Sequence, residues 1–193
     1  MNIAIGLLLF FSAGFYAPPV SAGELNDVKI PDTQTVSGKN LVLNGMGLRI
    51  VHKFGIPIKV YVAGLYLENK NQDSSAILKN DEVKRLTMTF VRPVDRDALN
   101  EAFERGYNDA CFSDCANKGQ QYAQFAKNVV SVRKDNQITL TFTKDSIEID
   151  TNGPNAKKQT IQDGHLSRNM LSVFINKEKP PGEDFRRGLL GLK

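Results

Sequence analysis

Two neighbouring runs, Leu41 to Val51 and Phe54 to Leu67, are rich in β-branched and aromatic residues and carry glycine at positions 45, 47, 55 and 64. Runs of this composition, with turn residues between and within them, predict two adjacent strands with glycine bulges. Further strands follow. Lys84 to Arg92 alternates apolar and polar side chains and is closed by Pro93. Ile138 to Phe142 and Ser146 to Asp150 alternate on either side of Thr143-Lys144-Asp145 and read as a hairpin, ended by Asn152-Gly153-Pro154.

Helical patterns stand between and after these strands. Asp73 to Lys79 opens with capping residues and suits a short helix. From Asp95, the apolar residues Leu99, Phe103 and Tyr107 recur at helical spacing among Asp97, Glu101, Glu104 and Arg105. A second amphipathic stretch from Lys118 to Val130 places Tyr122, Phe125 and Val129 on one side. The tail from Leu166 through Phe174 also reads as a helix and is broken at Pro180-Pro181, and Glu183 to Leu190 suits a last short helix closed by Gly191. No repeat, low-complexity tract or Gly/Ser linker divides the chain. Hairpin strands alternating with clustered helices predict one α+β domain with a mainly antiparallel sheet.

The first 22 residues hold no charged side chain, and their apolar run Ile3 to Phe11 leads to Val20-Ser21-Ala22, a small-residue cleavage pattern. This reads as a signal peptide over 1–22 followed by a domain over 23–193, with cleavage near Ala22 and a periplasmic or secreted product. The apolar run is short for a bilayer span, so the membrane is expected to be met only through export. The formal charge is +4, yet acidic and basic residues are interspersed and no Lys/Arg block is interleaved with aromatics, which argues against nucleic acid as a partner. Only two cysteines are present, Cys111 and Cys115. An exported chain places them where thiols oxidise, but the i, i+4 geometry of a regular helix suits a disulfide poorly. A Cys111–Cys115 bridge therefore implies a loop or a broken helix end; two free thiols are the alternative.

Gly45-Met46-Gly47-Leu48-Arg49, then Lys53-Phe54, then Lys59 through Glu68, resemble the paired-strand signature of the chalcone isomerase superfamily. Ala102 to Tyr107, Gly119 to Tyr122, Leu166-Ser167 and the closing Glu178 to Gly191 are similar to the same family in the same order. The resemblance implies an open-faced β-sandwich: a large antiparallel sheet carrying a layer of helices, with an apolar cleft between them. The family contains ring-closing isomerases of plants, plastid fatty-acid-binding proteins and non-catalytic relatives.

By resemblance, Arg49 takes the place of the cleft arginine that holds the substrate oxyanion in the enzymes. A guanidinium stays charged in an apolar cleft and offers forked donors to a phenolate or carboxylate. The alternative is a strand-end arginine in a surface salt bridge. Tyr61 stands where the enzymes carry a threonine, a departure that keeps a hydroxyl but fills space a flat polyphenol needs; it equally suits a strand aromatic packed on a helix. Tyr122 matches the cleft tyrosine, which in the enzymes shares a water network and in the fatty-acid binders helps hold a carboxylate. Asn128 matches a helix asparagine only if one residue is deleted, Val129 falling at the ungapped position. Ser167 aligns with a hydroxyl residue at the far end of the cleft, or is the N-cap of its helix.

No His-Glu-x-x-His, phosphate loop or nucleophile elbow occurs, and His52 and His165 stand in no metal-ligand spacing, so neither metal nor cofactor is expected. Three functions remain. A binder of a small lipophilic acid needs only Arg49, Tyr122 and an apolar cleft. An intramolecular lyase would use Arg49 and Tyr122 as its catalytic pair, stabilising an oxyanion and an enolate. A non-catalytic module for an unidentified envelope partner is expected to have its cleft filled by Met46, Tyr61 and Tyr122.

Overall fold

The computed structural model describes residues 22–112 and 119–192. A two-stranded hairpin, β1 (Ala22–Leu25) and β2 (Val28–Pro31), precedes a seven-stranded sheet. The sheet runs in chain order: β3 (Thr33–Val36), β4 (Lys39–Lys53), β5 (Ile56–Leu67), β6 (Lys84–Phe90), β7 (Gln137–Phe142), β8 (Ile147–Thr151) and β9 (Lys158–Ile161). Every neighbouring pair is antiparallel. Helix α1 (Ser74–Lys79) lies between β5 and β6. Helices α2 (Arg96–Ala110) and α3 (Gly119–Asn128) fall between β6 and β7, and α4 (Gly164–Ile175) and α5 (Glu183–Leu189) follow β9. This is the expected α+β class.

The period-2 alternation of each strand sends its apolar set to one face. Ala63, Leu65 and Leu67 of β5, Leu86, Met88 and Phe90 of β6, and Ile138 and Leu140 of β7 join Leu99, Phe103, Phe125, Met170 and Phe174 of the helices in the main core. The opposite face divides in two. Over β4 and β5, Val62 and Tyr66 pack with Leu41, Ile30 and Val36, with Leu43, Met46 and Leu48 beside them, beneath the β1–β2 hairpin. The Tyr66 hydroxyl donates to the Pro31 carbonyl at 2.8 Å. Over β6 and β7 that face is polar: the Gln137 amide donates to Thr89, and Arg85 donates to Thr141 and to Gln34.

The sequence patterns placed β4 to β8 and every helix to within a few residues. Phe54 is a correction, since it belongs to the turn and β5 begins at Ile56. Strands β1, β2, β3 and β9 add to the reading, each only four residues long and so short of a decisive alternation. Met46 is a second correction. It faces the β1–β2 hairpin, where a Cβ on Gly23 would meet its sulfur at 2.5 Å, and so does not fill the helix-side cleft.

Candidate functional site

The glycine-rich part of β4 is a docking strip for α5. A methyl group on Gly45 would overlap the Gly188 carbonyl oxygen, and one on Gly47 would lie 2.5 Å from the Phe185 carbonyl oxygen. Gly188 has no more room, lying against the Met46 carbonyl. Asn44 is the extra residue of a bulge between Leu43 and Gly45. Its buried side chain donates to the Leu189 carbonyl at 3.0 Å and accepts from the Asn71 amide at 2.8 Å. Glycine is required here because two backbones touch.

Arg49 lies two residues beyond Gly47 on the same face. It pairs with Tyr61 across the strands, immediately before a second bulge in which Val60 is the extra residue of β5. Bulges re-aim side chains and increase local twist, and this one marks where the ribbon leaves the sheet. The half-buried guanidinium donates Nη1 to its neighbour Ile50 at 3.0 Å and to the Pro181 carbonyl. Among the described residues no carboxylate pairs with it, so the surface salt bridge that was the alternative is replaced by backbone acceptors.

Tyr61 is wedged edge-on between Phe90, with ring centroids 5.4 Å apart, and Phe185, at 5.7 Å. The packed-aromatic alternative therefore describes its ring, while its hydroxyl feels the Arg49 charge. Burial pushes the Tyr61 phenol up to about 12, against the opposing pull of that guanidinium.

Tyr122 belongs to a different cluster. Its buried ring lies 5.1 Å from Tyr107 and 6.2 Å from Phe125, on α3, which packs against β9 rather than β4. Burial, with Glu104 and Tyr107 adding to it, raises the Tyr122 phenol above its ordinary range. Burial thus favours the neutral form of both phenols. Arg49 and Tyr122 lie on the same helix-facing side of the sheet but over different strands. Phe185, which the sequence did not single out, supplies the wall against Tyr61.

The remaining expected residues sit apart. Asn128 donates to the Gln124 carbonyl at 2.8 Å, turned back onto its own helix. Ser167 is buried and donates to the Thr143 carbonyl at 2.9 Å. The N-cap of α4 is Asp163, which accepts from the Leu166 amide, so Ser167 lies inside the first turn. Ser167 lines a depression of about 20 Å³ with Lys84 and Arg168. A larger one of about 280 Å³ lies on the opposite face of the sheet, lined by Thr35, Arg85, Thr141, Ser146, Glu148 and Lys158. Cys111 ends α2 and is disulfide-bonded, whereas Cys115 lies outside the described residues. His52 and His165 are both exposed.

Comparison with known proteins agrees with the architecture. No curated protein matches the chain. Among solved structures, a fatty-acid binding protein of Arabidopsis thaliana superposes with a TM-score of 0.67, covering 88% of this chain and 96% of that one. Its sequence identity is 17%, so the likeness establishes the fold. The chalcone isomerase-like family matches residues 22–191, nearly the whole of the described structure. The chain belongs to the chalcone isomerase-like family.

Proposed function

We propose that the protein binds a small lipophilic acid of the fatty-acid kind, with the carboxylate held at Arg49 and the tail among the apolar side chains between sheet and helices. The observation that carries this reading is the state of Arg49. It is a fixed cation on the helix-facing side of the sheet, engaged by two backbone carbonyls and by no carboxylate among the described residues. A carboxylate is the better acceptor for a guanidinium, and binding exchanges the Pro181 carbonyl for it. Tyr61 adds a neutral phenol beside that charge, and the Tyr122 cluster adds an aromatic wall deeper in the helix layer. The structurally similar Arabidopsis protein is itself named as a fatty-acid binder, which supports the same ligand class here.

The ring-closing reading has less behind it. The Tyr61 ring stands between Phe90 and Phe185, where a flat polyphenol would have to lie. We further propose that the leader directs the chain to the periplasm, where it meets lipids rather than flavonoids.

Titration of the delipidated protein with a fluorescent polyene fatty acid tests the reading. Loss of a charge-assisted contact of about 1.5–3 kcal/mol predicts affinity about 10- to 100-fold weaker in Arg49→Ala, with partial recovery in Arg49→Lys. Equal affinity in wild type and Arg49→Ala overturns it.

A further inference from the structure

The outer part of the β4–β5 ribbon leaves the protein. The last pair that β5 makes with β6 is Tyr61 with Phe90, and beyond it Ile50 to Lys53 pair only with Ile56 to Lys59. Four residue pairs at about 3.3 Å each carry the tip roughly 13 Å past the sheet. At that tip Phe54 is 93% exposed and Ile56 63%, and Pro57 is exposed beside them.

Phe54 is also in the wrong conformation for its side chain. Lys53 pairs with Ile56, so Phe54-Gly55 is a two-residue turn with both φ angles positive, 53° and 78°. Such turns favour Asn or Asp followed by Gly, and a bulky residue in the left-handed region is strained. The β1–β2 turn obeys the preference with Asn26-Asp27, and the β3–β4 turn uses Ser37-Gly38. Phe54 accepts the strain while leaving its ring in water, so no contact within the chain offsets it.

Charge and shape indicate what does. Ile50 to Val60 contains Lys53, Lys59 and His52 and no acidic residue. Lys59 donates to Asn26 at 2.7 Å, which places the neighbouring Asp27 near the base of the projection rather than at its tip. Alternation puts Val51, Ile56 and Ile58 on one face of the ribbon and Ile50 and Pro57 on the other. Ile50, Val51 and Ile58 are half-buried toward the base, which leaves Ile56 exposed on one face and Pro57 on the other, with Phe54 at the turn. Exposed apolar groups on both faces suit a surrounding solvent of hydrocarbon better than a partner that covers one side. An apolar tip with Lys53 beside it, level with Ile56, and Lys59 at its base is the pattern of a segment seated at an anionic lipid interface.

We propose that the β4–β5 tip inserts into the interface of an anionic phospholipid bilayer, with Phe54 and Ile56 in the acyl region and Lys53 at the headgroups. The proposal does not depend on what Arg49 holds. Flotation of the purified protein, in the form the cell accumulates, with phosphatidylglycerol-containing vesicles tests it. The double variant Phe54→Asn/Ile56→Ser is expected to partition at least about tenfold less, since two large apolar groups are lost, while melting no lower than wild type because asparagine suits the turn. The chain has no tryptophan, so Phe54→Trp is a clean reporter. Its emission is expected to shift to the blue with anionic vesicles and to be quenched by lipids brominated near the headgroup. Arg49→Ala is expected to float like wild type, which separates this test from that of the ligand. Equal flotation of wild type and the double variant overturns the proposal, as does emission from the Phe54→Trp variant that is unmoved by anionic vesicles.

Discussion

From Leu41 to Gly47 and from Ala63 to Leu67, the β4–β5 ribbon is packed on both faces: α5 and the helix layer lie on one side, and the β1–β2 hairpin covers the other. From Ile50 to Lys59 the same two strands are half-buried at Ile50, Val51 and Ile58 and exposed from His52 to Pro57, although Phe54, Ile56 and Pro57 there are apolar. The inner half uses glycine to let backbones meet, at Gly45 and Gly47. The outer half uses it only to turn the chain, at Gly55. Arg49, Tyr61 and the Val60 bulge stand at the boundary. A charge fully inside would need a buried partner, and one fully outside would be screened by water; Arg49 is half-buried at this edge and donates to backbone carbonyls.

The comparison is most sharply broken at the glycines. Gly45→Ala drives a methyl group into the α5 backbone, and about 3 kcal/mol or more should be lost in urea unfolding. Asn44→Ala on the inner half leaves the Leu189 carbonyl and the Asn71 amide without their partner, and the same measurement should show a loss of about 2 kcal/mol. Lys84, paired with Leu67 at the inner end of the ribbon, is a buried cation held by the Asn80 and Glu82 carbonyls. Burial lowers its ammonium to about 8, only partly opposed by the nearby acids Glu82 and Asp81. Between that value and the ordinary one of about 10.4, the unfolded chain holds a proton that the folded chain has released. Wild-type stability relative to Lys84→Met should therefore rise with pH through this window, by at most about 1.4 kcal/mol per pH unit, and the penalty should be fully present below it. On the outer half, Gly55→Ala meets no atom within 4 Å and should cost only the left-handed backbone term, about 1–2 kcal/mol. Phe54→Asn should reverse the sign, raising stability by up to about 1 kcal/mol in thermal melts. Equal effects of Gly45→Ala and Gly55→Ala would erase the distinction between the two halves.

Much of this was legible in the sequence, and the rest has identifiable reasons for being hidden. β-rich composition disclosed β4 and β5, alternation disclosed β6 to β8, and apolar residues at helical spacing disclosed α2 and α3. Four-residue strands such as Thr33–Val36 and Lys158–Ile161 carry too few positions to show a period. Arg49 was placed on its strand by the surrounding motif. Its contact with Pro181 joins residues 132 positions apart, and no local pattern encodes that. The glycines at 45 and 47 signalled irregularity in a strand but not the helix that lies on them. Ser167 looked like a cap because it sits near a helix start, and Asp163 takes that role because its carboxylate reaches the Leu166 amide. The exposure of Phe54 was invisible because an apolar residue in a β-rich run reads as core unless the sheet is known to stop short of it.

The central claim is that Arg49 heads a site for a lipophilic acid. Its most direct test is mass spectrometry of the organic extract from detergent-free wild-type protein beside that from Arg49→Ala. A stoichiometric fatty-acid-like carboxylate in the wild type that is absent from the variant is the expected result. An empty extract from both, or the same acid retained by both, contradicts the claim.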